Sequence, residues 1–247
     1  MNTETPSQKL QPVRWGFLGT LVWGVLVTIL YVAVQIIVTL IYAEVIHGDM
    51  SEDLLKQIEY DGTVLSIATF ATLLICGLMV CGIIKLKKNT SLKEYLALNK
   101  ISFSQAKFWI IATIALIILI DGLTLLLGKP IVVEFMTKIY NSTSQPLLLF
   151  LALIFAAPVF EELFFRGFLF SGFRSTSLGP IGATIITSAA WSAIHLQYDL
   201  YGIFTIFIVG IVLAIARLKT NSILTTIMMH SVMNFIATIE TIIYVAQ

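Results

Sequence analysis

Within the stretch PVFEELFFRGFLF (158–170), two adjacent glutamates and an arginine interrupt a run that is otherwise almost wholly apolar. Glu162 and Arg166 are four residues apart, so on a helix they lie one above the other with the acid on the N-terminal side, the favourable order for an ion pair. Glu161 points about 100° away around the helix axis and has no partner in its own helix. A carboxylate placed this way is suited to take a proton from water as a general base. His230 and Asn234 in MMHSVMN are again four apart, on one helical face. His195 stands in WSAIHL, with Trp191 one turn before it. One free carboxylate, two imidazoles and one amide can order a water, remove its proton and stabilise an oxyanion, the minimum equipment for hydrolysing an amide bond.

Taken singly, each group has a plainer reading. A histidine inside a membrane often bridges helices by a hydrogen bond, and Glu162 with Arg166 reads as a structural pair. Asp121 can cap, pair or line a cavity, and Glu240 sits close enough to a helix end to reach the membrane surface. The joint occurrence of Glu161, His195, His230 and Asn234 is what points to chemistry.

These residues must be positioned by membrane helices. Of 247 residues 58% are hydrophobic and only 12% charged, with a mean hydropathy of +0.95; a soluble domain carries about twice that charge fraction. Apolar runs long enough to cross a bilayer fall at Trp15–Ile46, Thr63–Ile84, Phe108–Gly128, Pro146–Phe165, Ile181–His195, Gly202–Ala216 and Ile223–Val245, the fifth and sixth being short. The first is too long for a signal-peptide core and is read as a span. Pro158 removes a backbone hydrogen bond and is expected to kink the fourth span beside the acids. The expected fold class is all-α, a polytopic integral membrane bundle of about seven helices, N-terminus inside and C-terminus outside. That orientation follows from the basic residues, which divide 12 inside to 3 outside across the connecting segments. The outer loop HGDMSEDLLKQIEYDG is acidic; the inner loop 85–107 is basic and reads as carrying a short amphipathic surface helix. A net charge of +1 gives no reason for a nucleic-acid partner, and Cys76 and Cys81, both inside an apolar run, do not read as a disulfide.

With EExxxR at Glu161–Arg166, an aromatic-xxx-His at Trp191 and His195, and HxxxN at His230 and Asn234, the chain resembles the CPBP family of intramembrane endopeptidases, which process prenylated proteins and bacteriocins. The resemblance covers about Pro146 to Thr241, dividing the chain into helices one to three (1–145) and a catalytic core (146–247). It implies a helical membrane protease with a cavity facing the cytoplasm, acting on a membrane-associated peptide or protein. Glu161 would activate water with help from His195, His230 and Asn234 would form the oxyanion hole, and Glu162 and Arg166 would hold the helix in register. The aromatic is more often Phe, so Trp191 departs from the pattern. A zinc site through Glu161, His195 and His230 is the alternative; HExxH is absent and the reading here is metal-free. The expected location is a bacterial cytoplasmic membrane. Two other functions stay open: a non-catalytic immunity or scaffold protein of the same fold, and a transporter using Glu161 and the histidines as a proton relay. One feature sits badly with a cytoplasmic cavity: counted along the helices from their inner ends, Glu161 and His195 lie deeper than His230.

Overall fold

The computed structural model describes residues 13–247, and every regular element in it is helical. Ten helices follow in order: α1 (Phe17–His47), α2 (Glu52–Ile58), α3 (Gly62–Leu86), α4 (Leu92–Leu96), α5 (Phe103–Leu126), α6 (Glu134–Ser142), α7 (Pro146–Arg174), α8 (Gly179–Ala193), α9 (Leu200–Thr220) and α10 (Ile223–Val245). Polar residues just before the apolar runs start them. Asp61 accepts from the amides of Thr63 and Val64, Ser102 forms a capping box with Gln105, and Asp199 and Ser222 accept from Gly202 and Leu224.

Six of these helices, α1, α3, α5, α7, α9 and α10, are long and apolar enough to cross a membrane. Their outer faces leave large apolar side chains such as Leu18, Leu78, Ile118 and Leu126 exposed, as lipid contact requires. The fifth expected span is the exception. α8 has 15 residues, about 22 Å at ~1.5 Å per residue, which falls short of a hydrocarbon core of about 30 Å. The apolar run was cut short because Leu196–Asp199 contribute turns and a cap rather than another helical turn.

The bundle has two chemically distinct ends. Contacts of Asn99 with Asn221 (2.7 Å) and of Trp15 with the Ile83 carbonyl (3.3 Å) gather one end. Ion pairing of Lys129 with Asp199 (2.6 Å) and hydrogen bonding of Gly62 with Ser142 (3.1 Å) gather the other. The expected surface helix of the basic loop is only the five-residue α4, and it turns Tyr95 and Leu96 into the core. Arg166 and Arg217, assigned from sequence to inner connecting segments, are instead fully buried inside α7 and α9. Cys76 and Cys81 are unpaired.

α7 is continuous through Pro158 but changes register. Residues Ala152–Ala156 and Glu162–Leu169 adopt the wider π winding, so that the amide of Ala157 reaches Ala152 and that of Phe170 reaches Phe165. α8 and α9 approach closely: a Cβ on Gly210 would stand 2.9 Å from Ser188 Cβ and 3.2 Å from the Arg166 guanidinium.

Candidate active site

Glu162 and Arg166 pair at 3.0 Å with both side chains wholly buried. Arg166 also donates to the Gly210 carbonyl (3.3 Å) and stacks on Trp191, its guanidinium carbon 4.4 Å from the ring centre. His230 places Nδ1 3.1 Å from the same Glu162 oxygen. Because a carboxylate beside Arg166 accepts only, Nδ1 carries the proton there and Nε2 is left for another partner. His195 is fixed in the same tautomer, its Nδ1 donating to the Trp191 carbonyl at 2.8 Å.

Trp191 stands at the centre. Its ring meets His195 edge-on at 5.2 Å and His230 at 5.3 Å, and its Nε1–H donates to Glu161. The sequence reading left Glu161 without a partner in its own helix; the partner comes from α8. The indole supplies it where Phe, which has no N–H, could not. The departure from the motif was therefore the visible signal, and its use was not.

Asn234 donates through Nδ2 to the carbonyl of Leu153 at 2.7 Å. The reason lies in α7. In the π winding the residue whose amide should donate to the Leu153 carbonyl, five positions on, is Pro158, which has no N–H, while the amide of Ala157 is already given to Ala152. The amide of Asn234 replaces the missing donor and keeps one N–H in reserve. Arg217 serves the second π segment in the same way, Nε to the Arg166 carbonyl at 3.2 Å, with Ser171 and Asn221 taking its other donors. Neither role was foreseen from spacing.

Glu161, His195, His230 and Asn234 thus line one cavity of about 520 Å³, together with Leu153 and Tyr198. Glu162 and Arg166 lie beneath it. Asp121 sits apart, its carboxyl within hydrogen-bond reach of Glu240 between α5 and α10. Among the described residues no three His, Cys, Asp or Glu side chains are grouped so as to hold a metal ion.

Residues 143–236 match the family model of the Rce1-like type II CAAX prenyl endopeptidases. These residues are an Rce1-like domain. The family is one of intramembrane proteases, acting on protein substrates, and the resemblance carried by EExxxR, Trp191-xxx-His195 and HxxxN holds for this domain. Over 113 residues the chain is also 34% identical to an uncharacterized 24.3 kDa protein of Escherichia coli, an alignment covering 42% of this chain and 52% of that protein. The chain therefore spans about half the length of the curated relative it matches. No solved structure matches it. The Rce1-like domain supplies all seven motif residues, while α1 and α3 pack on α7 and share its core, Val27, Cys76 and Phe160 belonging to one cluster.

Proposed function

We propose that the chain is an intramembrane endopeptidase that hydrolyses a peptide bond of a membrane-associated peptide or protein with Glu161 as the base. The observation that carries this reading is the convergence of Glu161, His195, His230 and Asn234 on one cavity at mid-depth of a helical bundle. Glu161 takes a proton from a water held between it and Nε2 of His195. The hydroxide adds to the substrate carbonyl, and the oxyanion is met by the reserve N–H of Asn234 and by His230 when that ring is protonated. The proton held by Glu161 then passes to the leaving amine as the C–N bond breaks. Glu162, Arg166 and Trp191 act through these groups: they hold His230 and Glu161 in place without touching substrate.

The basic end of the bundle is placed in the cytoplasm by the positive-inside rule, which sets the N-terminus inside. α8 and the segment 194–199 together make the seventh passage, and the C-terminus emerges on the opposite side. The E. coli relative supports a bacterial membrane.

The test compares new peptide termini in cells making wild type or Glu161→Gln at equal levels. Termini present only with wild type are expected. Their absence, with a phenotype that survives Glu161→Gln, would favour a non-catalytic immunity or scaffold role.

A further inference from the structure

The cavity and the basic residues lie at opposite ends of the molecule. Arg14, Lys85, Lys87, Lys88, Lys93, Lys100, Lys107, Arg174 and Lys219 all stand at the end formed by the starts of α1, α5, α8 and α10 and the finishes of α3, α7 and α9. Of the described basic residues only Lys56, Lys129 and Lys138 stand at the other, among Glu52, Asp53, Glu59, Asp61, Glu134 and Asp199. The connecting segments are short, the condition under which Lys and Arg decide orientation. Nine described basic residues against three mark the first end as cytoplasmic.

The way into the site is at the second end. Above Glu161 and His195 the cavity wall is made by Glu59 and Tyr60 before α3, by Phe135 and Met136 of α6, and by Gln197 and Tyr198. Towards the basic end the bundle is closed. Glu162 and Arg166 are wholly buried there, and beneath them Phe168 stacks on Tyr95 of α4 at 5.8 Å, both at 0% exposure. α8 explains how His195 reaches the site at all. It rises from the basic end, stops at mid-depth, and leaves 194–199 to climb to Asp199 as a non-helical wall of the mouth. The depth order that sat badly with a cytoplasmic cavity follows directly: His195 and Glu161 are deep from the basic end because they are approached from the other.

We infer that the cavity opens on the extracytoplasmic side of the membrane and takes its substrate as an extended peptide segment presented from that side. The substrate clause rests on the endopeptidase reading; the direction of opening does not. It corrects, for this chain, the cytoplasmic cavity that the family resemblance implied.

The experiment places single cysteines in a full-length chain whose two native cysteines are replaced (Cys76→Ala, Cys81→Ala), and treats spheroplasts with a membrane-impermeant maleimide before and after permeabilisation. Glu59→Cys and Gln197→Cys, two exposed positions on the mouth, should label fully in intact spheroplasts, and Lys88→Cys only after permeabilisation. Labelling of Glu59→Cys or Gln197→Cys that requires permeabilisation overturns the inference. The same pattern is expected with Glu161→Gln added, because accessibility does not depend on catalysis. Termini dependent on Glu161 should then map to extracytoplasmic segments; cytoplasmic termini would overturn the substrate clause. If labelling holds and no such termini arise, the endopeptidase reading fails and the direction of opening stands.

Discussion

On the endopeptidase reading Asn234 has two separable jobs, and Pro158 makes the separation measurable. In the folded chain the Leu153 carbonyl accepts from Asn234 because residue 158 cannot donate to it. Asn234→Ala removes that donor and leaves a carbonyl on the cavity wall unpaired, which costs about 1–3 kcal/mol. Pro158→Ala restores an N–H at the position the π winding requires, at the small expense of a freer unfolded chain. In the Pro158→Ala background the same Asn234→Ala change should therefore cost about 1 kcal/mol less, the net worth of one hydrogen bond. Hydrolysis should stay lost in both backgrounds, because a backbone amide committed to Leu153 offers nothing to an oxyanion. Equilibrium unfolding in mixed micelles measures the four stabilities. If the two single costs simply add, within about 0.3–0.5 kcal/mol, Asn234 is not standing in for the missing amide and the account of α7 is wrong. Recovery of activity along with stability would instead deny Asn234 any part in the reaction.

Other consequences are simpler to check. Trp191→Phe keeps an aromatic edge against both imidazoles but deletes the donor to Glu161; a hydrogen bond to a charged group is worth about 1.5–3 kcal/mol, so kcat on a cleaved substrate should fall roughly 10- to 100-fold with KM little changed. Gly210→Ala would push a methyl against Ser188 and the Arg166 guanidinium; overpacking costs about 1–3 kcal/mol, read as a lower thermal midpoint in detergent, and an unchanged midpoint would show that α8 and α9 can part freely. The ammonium of Lys129, bonded to Asp199, together with the Gly202 amide, holds that carboxyl below the usual carboxylate range. The link therefore contributes above the ordinary carboxylate pKa and is lost as pH falls through the lowered one. Thermal midpoints of wild type and Asp199→Asn should differ slightly at neutral pH, as befits an exposed pair, and converge in acid.

Much of the architecture could be read before any coordinates, because lipid imposes one dominant rule. The sequence gives both ends of α10 as found, and those of α3 and α1 to within two residues, since each is a long apolar run, α3 and α10 with polar N-caps. From sequence the fourth run ends at Phe165, where Arg166 and Arg174 suggest an interface, yet α7 continues to Arg174. The sequence shows the i,i+4 partner Glu162 but not the remote groups that let Arg166 stay buried, the Gly210 carbonyl and the Trp191 ring. The failure at α8 has a different cause: composition cannot distinguish a helix that crosses from one that stops halfway against a site. The motif residues were legible because i,i+4 spacing survives folding. The network joining them was not, for it runs through backbone carbonyls released by two register changes, and no side-chain pattern encodes those.

The short α8 also makes the surrounding lipid a participant. At about 22 Å it leaves several ångströms of a typical bilayer unmatched on one flank, where Leu196 and Leu200, 80% and 85% exposed, stand beside the cavity mouth. A bilayer relieves such a mismatch by thinning locally. Such thinning would bring headgroups and water towards His195, so that, on the endopeptidase reading, a hydrophobic peptide in the membrane surface would meet the cavity without leaving lipid. On the endopeptidase reading acyl-chain length should then tune activity, with short-chain bilayers favouring the open flank and thick ones burying it.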